Sequence, residues 1–362
     1  LVERTGRPDI PRIHSIAKEI ARLHHAKKEI VLVSSGAIAA GIETLGLNTR
    51  PTALPQLQMA AAVGQVRLMS IYDKYFSREG CRIGQVLLTH DDLKNRTRHL
   101  NARNTMLELI RQNIIPVVNE NDVVSVDEIK FGDNDMLASL VTILIEAEVL
   151  ILLTTADGLH TSYGTENARR VAYLKSVTSD TLRLAGRKTS KLSLGGMESK
   201  LKSAEAATHV GARVVIADGR KKQILTRVLR GDDTGTLIGG SIQEKRSSMK
   251  GRKRWIAFFH KTDGTLFIDE GAQKAIEQKG HSLLPIGIKK IEGHFSKGAL
   301  VNVKSLKGKL IARGLVDYSS ERLAKIKGHK TSEINGILGY KDYEEVIHRD
   351  NMVVILNKDG EN

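Results

Sequence analysis

Between Ile114 and Asp135 the chain reads IIPVVNENDVVSVDEIKFGDND, and this stretch narrows the possible folds most. Ile114 to Val118 is a short apolar run rich in β-branched residues, the composition of a strand buried on both faces. Such a strand belongs in a parallel sheet covered by helices on each side. Polarity then arrives abruptly with Asn119, Glu120, Asn121 and Asp122. A second cluster, Gly132, Asp133, Asn134 and Asp135, opens an apolar helical pattern. Open α/β sheets bind ligands outside the carboxyl ends of their strands. Two amide-and-carboxylate clusters at such an edge can hold an ammonium group, a metal–nucleotide or both. An Asx-type helix cap accounts for one of Asp133, Asn134 and Asp135, and leaves the doubled pattern to function.

The same alternation extends on either side. Ile13, Ile16, Ala17, Ile20, Ala21 and Leu23 follow a helical period, and Glu29 to Val33 reads as a buried strand running into SSGAIAAG, Ser34 to Gly41. Small residues there let a backbone approach a ligand, and Ser34 and Ser35 offer hydroxyls at the strand end. Helices are predicted over Gln56–Phe76, Arg98–Gln112 and Met136–Ala147, and strands over Ile83–Leu88 and Val149–Leu153. Tyr72, Tyr75 and Phe76 read as core. Thr154 and Thr155 follow the strand that ends at Leu153, and Asp157-Gly158 is a turn. In SLGGMESK, Ser193 to Lys200, two glycines before a helix free backbone amides to face an anion that Lys200 could reach. This is not a Walker loop, since G-x-x-x-x-G-K-[ST] is absent. Arg213 to Ala217, a helix through Arg230 and Thr236 to Ile238 complete a mainly parallel sheet sandwiched by helices.

A chain of 362 residues should hold two domains, because single cores rarely grow past about 250–300 residues. The basic, polar segment from Ser241 to Arg254 reads as the boundary. It gives a first domain over 1–243, a linker over 244–254 and a second domain over 255–362, whose short strands and glycine turns suggest a small β barrel. From Lys245 onward 23 Lys and Arg face 14 Asp and Glu, so basic charge is denser there. That suits an anionic partner such as RNA, or simply a solvated lysine-rich surface. One cysteine, Cys81, excludes a disulfide framework, and the 12 histidines show no metal-ligand spacing. The most apolar stretch, Met136 to Leu153, is broken by Glu146 and Glu148, and no secretion signal opens the sequence. A cytoplasmic protein without membrane contact is the expectation.

The segments VLVSSGAIAAG, NARNT, IPVVNENDVV, IKFGDND, LLTTADGL and LGGMESKL together closely resemble the glutamate 5-kinases of the amino-acid kinase family. RKRWIAFF, IDEGAQKAI, SLLPIGI, GHFSKGALV and ILGYKDYEEVIHRDNMVVI resemble the PUA domain that follows the kinase domain in that family. The resemblance spans almost the whole chain in the family's order. It implies ATP and L-glutamate as substrates, Mg²⁺ with the nucleotide, a homo-oligomer, proline as feedback inhibitor and RNA as a partner for the PUA domain. By position it implies that Ser35, Asp122 and Asn134 hold glutamate, and that Thr154 and Thr155 bind ATP. Leu194, Gly195, Gly196, Met197, Glu198, Ser199 and Lys200 form the second nucleotide segment. Lys200 and Asp135 are the catalytic pair, with Asp133 beside them.

The sequence departs from the family in three places. Thr155 stands where aspartate is usual, and Leu194 replaces the common threonine before GGM. The family's opening strand, VVKxGS or VVKxGT, has no counterpart in a sequence that starts at LVERTGRPD. On that reading the chain as written should be weakly active and prone to aggregate. Restoring the segment should recover both solubility and activity. Three functions remain open at this stage: a glutamate 5-kinase, another acyl-phosphate-forming kinase of the same fold, or an RNA-binding protein with a vestigial kinase domain.

Overall fold

The structure, a computed structural model, describes residues 8–94, 96–124, 134–161, 166, 168–185, 196–239, 262–340 and 343–355. The chain divides into two compact units, Leu1–Ser247 and Ser248–Asn362. The segment read as a linker, 244–254, lies outside the described residues.

The first unit opens with α1 (Ile10–His25), where the Asp9 carboxylate accepts the Arg12 N–H at 3.0 Å and Pro11 occupies the first turn. Both features fix a helix start. There follow β1 (Leu32–Val33), α2 (Ala37–Thr44), α3 (Leu54–Arg78), β2 (Arg82–Leu88), α4 (His90–Lys94), α5 (Arg96–Arg111), β3 (Ile114–Glu120), α6 (Asn134–Ile145) and β4 (Val149–Thr154). A small antiparallel pair, β5 (His160–Thr161) and β6 (Arg169–Arg170), leads to β7 (Tyr173–Leu174) and α7 (Ser179–Ala185). Then come α8 (Met197–Thr208), β8 (Arg213–Asp218), α9 (Ile224–Arg230) and β9 (Gly235–Ile238).

The strands form a three-stranded sheet in the order β1-β3-β2 and a four-stranded sheet in the order β4-β8-β9-β7. The first is wholly parallel, with Val33 paired to Val118 and Leu88 to Glu120. In the second, β4 and β8 run parallel, while β9 runs antiparallel to β8. The parallel core thus takes the predicted form, with a reversed strand toward one edge. Helices α1, α3 and α9 cover one face, where Ile13, Ile16, Leu68, Tyr72 and Phe76 pack with Ile115, Val117, Ala217 and Ile224. On the other face Ala138, Leu201, Ala204 and Ala207 of α6 and α8 meet Leu150, Leu152, Val214 and Ile216. Burial on both sides is the reason these strands carry unbroken apolar runs instead of alternating ones.

Helices α2 and α3 approach more closely than ordinary side chains allow. A Cβ on Gly64 would lie 1.7 Å from the Ala37 carbonyl oxygen, and one on Gly41 would lie 1.7 Å from that of Ala60. The contact fixes the start of α2, immediately after β1, against the middle of α3. Gly64→Ala should therefore force the helices apart and cost about 1–3 kcal/mol, as overpacking does. Thermal unfolding reads this as a Tm several degrees lower. An unchanged Tm would mean that the pair has slack that its geometry does not suggest.

The second unit contains β10 (Gly264–Ile268), α10 (Glu270–Lys279), β11 (Ile288–Glu292), β12 (Leu300–Ser305), β13 (Leu310–Leu315), α11 (Ser320–Ile326), α12 (Ile334–Leu338) and β14 (Met352–Val354). Its strands order as β11-β10-β12-β13-β14. Among the described residues this sheet is open, where a barrel-like closure was the expectation. One face builds a separate core from Leu266, Ile268, Val301, Val303, Ile311 and Leu323. Asp269 caps α10 by accepting the Ala272 N–H at 2.9 Å, and Gly280 ends it in the left-handed region at φ 60°.

Candidate active site

Where they fall on described residues, the polar clusters singled out in the sequence lie at the carboxyl ends of β1, β3 and β4 and at the starts of α6 and α8. At β1 the strand gives way to Ser34, Ser35 and Gly36, and Gly36 (φ 102°) starts α2. A residue with a side chain would be strained in that backbone conformation. Ser34 is buried, and its hydroxyl lies 2.8 Å from the Tyr72 hydroxyl on α3. Burial pushes the Tyr72 phenol up to about 12, so it stays neutral and remains a donor. Ser35 is half-buried in the turn itself.

Strand β3 runs two residues further than its apolar run, through Asn119 and Glu120, both buried. Asn121 is tied back by its N–H to the Leu88 carbonyl at 2.9 Å, and Asp122 begins the turn that follows. Helix α6 then starts with Asn134, whose side-chain N–H donates to the Ser34 carbonyl at 2.8 Å. The next residue, Asp135, accepts from Lys200 Nζ at 2.7 Å. The Lys200 side chain is 9% exposed and that of Asp135 18%. Removing two charges from water this far is costly, and such pairs add little to stability. What the pair does achieve is to fix the position of an ammonium group.

Lys200 lies in the first turns of α8. Gly196, extended at φ −74°, precedes that helix and caps it with no side chain, and a helix start of this kind turns backbone N–H groups toward its N-terminal end. Met197, Glu198 and Ser199 form the turn leading to Lys200. Leu194, Gly195 and Asp133 lie outside the described residues.

At the second sheet, Thr154 ends β4 opposite Asp218, which ends β8. The Thr154 carbonyl accepts the Gly219 N–H at 2.9 Å. Arg220 holds the Asp218 carboxylate with two 2.9 Å bonds, one to each oxygen, and reaches the Thr155 carbonyl at 2.5 Å. Burial pushes the Asp218 carboxyl up, but its bonds to Arg220 outweigh this and hold it below the ordinary range. Asp218 and Arg220 were missed by the sequence reading, which ended this strand at Ala217. The polar triplet of strand-end type in VVIADGR was the available signal.

The structure therefore brings Asn134 against Ser34, and Asp135 against Lys200. It sets Thr154 and Thr155 beside β8. The comparisons with known proteins agree with this architecture. Residues 2–218 match the model of the amino acid kinase family, and residues 264–338 match the PUA domain. A glutamate 5-kinase of Citrifermentans bemidjiense is 44% identical over 98% of this chain and 95% of its own length. That of Thioalkalivibrio sulfidiphilus is 46% identical over 94% and 90%. The chain belongs to the glutamate 5-kinase family.

Among solved structures, a carbamate kinase from Giardia lamblia bound to AMP-PNP is similar, with a TM-score of 0.47 and 17% identity. The match covers 63% of this chain and 90% of that one. Among the described residues of this glutamate 5-kinase family member, no helix is long and apolar enough to cross a membrane. The strand-end geometry also separates two groups of side chains. Ser34, Ser35, Asp122 and Asn134 surround the β1–β3 end, whereas Thr154, Thr155, Asp218 and Arg220 surround the β4–β8 end. The Asp135–Lys200 pair joins α6 to α8.

Proposed function

We propose that the protein transfers the γ-phosphoryl group of ATP to the γ-carboxylate of L-glutamate, giving L-glutamyl 5-phosphate and ADP, the entry step to proline. The observation that carries this reading is the buried Asp135–Lys200 pair, one residue from the Asn134–Ser34 bond. In this reading the fixed ammonium group serves the phosphoryl donor and the neighbouring turn holds the amino acid.

The chemistry asks little covalent work of the protein. The acceptor carboxylate is already ionised near neutral pH, so no strong general base is needed. What matters is in-line positioning and positive charge around a spread negative one. In this reading Asp122 and Asn134 accept from the substrate ammonium, and Ser35 and the start of α2 hold its carboxylate. Lys200 and the first amides of α8 stabilise the transferring phosphoryl group, and Asp135 aims the lysine. Thr154, Thr155 and residues 194–199 bind the nucleotide. Mg²⁺ would offset charge on the phosphate oxygens. Asp135 and Asp218 are each committed to a cationic side chain, so the ion fits as part of the nucleotide, not in an all-protein cage.

The test is release of ADP from Mg-ATP that depends on L-glutamate, against a panel of N-acetylglutamate, carbamate and UMP. Turnover confined to another acceptor, or to none, would overturn the reading. On the nucleotide side, Arg220→Ala should raise KM for ATP about tenfold, the worth of one charge-assisted hydrogen bond, and leave KM for glutamate unchanged. Equal effects on both substrates would remove Arg220 and Thr155 from the nucleotide site. The single buried cysteine suits a cytoplasmic setting, and the basic C-terminal unit is read as an RNA-binding PUA domain.

A further inference from the structure

Polar side chains of α3 reach the strand ends. Gln65 and Tyr72 are seven residues apart, two helical turns, and so share a face of α3. Tyr72 meets Ser34. Gln65 Oε1 accepts from the Asn119 side-chain amide at 2.7 Å. Because Val33 pairs with Val118, Ser34 and Asn119 lie side by side on neighbouring parallel strands, and α3 grips both.

The Gln65 side-chain nitrogen is shielded from solvent and has no hydrogen-bond partner among the described residues. A buried N–H donor left without an acceptor is a sizeable penalty, and proteins rarely keep one without a use. Gln65 is also not free to drift, because the adjacent Gly64 is packed against Ala37 and Gly41 of α2. We propose that Gln65 is a specificity-determining residue for the amino-acid substrate: its carbonyl oxygen locks Asn119, and its unpartnered N–H donates to the α-carboxylate of the bound amino acid. This rests on the reading of the β1–β3 end as the glutamate site. It assigns the substrate's two α-groups to opposite sides of that site, the ammonium to Asp122 and Asn134 and the carboxylate to α3 and the start of α2. A ligand with an amine but no α-carboxylate, such as 4-aminobutyrate, gains nothing from Gln65.

Gln65→Glu separates the two roles. A glutamate side chain still accepts from Asn119 but sets an anionic oxygen where the donor was. If Gln65 only held Asn119, Gln65→Glu would lower Tm through its buried carboxylate but leave the preference for glutamate over 4-aminobutyrate unchanged. The proposal instead expects KM for glutamate to rise at least about 10-fold, the loss of one hydrogen bond to a charged group, with KM for ATP within about twofold. It also expects the preference for glutamate over 4-aminobutyrate as inhibitor or substrate to shrink by the same factor. Gln65→Met, which fills the space with neither donor nor acceptor, is made alongside it; should Gln65→Glu fail to fold, the preference of Gln65→Met for glutamate over 4-aminobutyrate decides the matter, because loss of the Asn119 contact alone would not change it. A normal KM for glutamate in a folded variant overturns the proposal alone. Absence of glutamate-dependent ADP release in the wild-type protein overturns the glutamate reading and this proposal together.

Discussion

Lys200→Ala is expected to lower kcat by about 10²-fold or more, the usual loss when a major electrostatic stabiliser of a transition state is removed. The effect should fall on kcat more than on KM, because the ammonium group matters most when negative charge spreads over the phosphoryl oxygens. Lys200→Arg should recover only part of the loss. The guanidinium is a planar fork, and the space around Nζ is closed, with the lysine side chain 9% exposed. The geometry adds a second expectation: Asp135→Asn should also lower kcat, since the lysine would lose the carboxylate that aims it at 2.7 Å. Steady-state kinetics on purified variants of matched Tm decides the point. A near-normal kcat in Lys200→Ala would reduce the GGMESK segment to a glycine turn with a buried ion pair behind it.

The second large effect concerns the amino acid. Asp122→Ala and Asn134→Ala should each raise KM for glutamate by about 10-fold or more, the cost of leaving a charged ligand group without its partner, while KM for ATP stays close to wild type. Asn134 has a structural duty as well, since its amide holds the Ser34 carbonyl. Asn134→Ala should therefore also loosen the turn that starts α2, and lower Tm slightly more than Asp122→Ala. Unchanged glutamate KM in both variants would remove these residues from substrate binding.

Much of this site was legible in the sequence because it depends on strands buried on both faces. Such strands read as unbroken apolar runs, so the first polar residues after them mark the sheet's carboxyl edge with little ambiguity. Ser34, Asn119, Asp122 and Thr154 were found in that way, whereas Lys200 was found from the glycine pair that precedes its helix. What one-dimensional reading could not supply was the pairing across long separations. Tyr72 was read as core, and it is buried, but its hydroxyl serves Ser34, 38 residues away. Gln65 carries no local signal at all: a glutamine in an alanine-rich helix looks like a solvent-facing residue. The end of β8 was set one residue short because Asp218 is polar, although the strand continues through it with Arg220 balancing its charge. In the second unit, short strands and glycine turns suggested closure, yet composition does not specify strand order. The sheet's order depends on a parallel pairing between β10 and β12 that no local pattern announces.

In the proposed reaction the first two residues of α6 serve different reactants. Asn134 is bonded to the turn proposed to hold the acceptor, and Asp135 to the lysine proposed to face the donor. Their Cα atoms are separated by one peptide unit, about 3.8 Å, which neither thermal motion nor ligand exchange can stretch. On that proposal the helix end would work as a gauge block: the offset between the two contacts is set by covalent geometry, not by how two lobes happen to close. Selection could then remodel the loops that recognise the acceptor's far end without re-tuning the reach of phosphoryl transfer. Inserting a single residue between Asn134 and Asp135 should abolish turnover even where both substrates still bind.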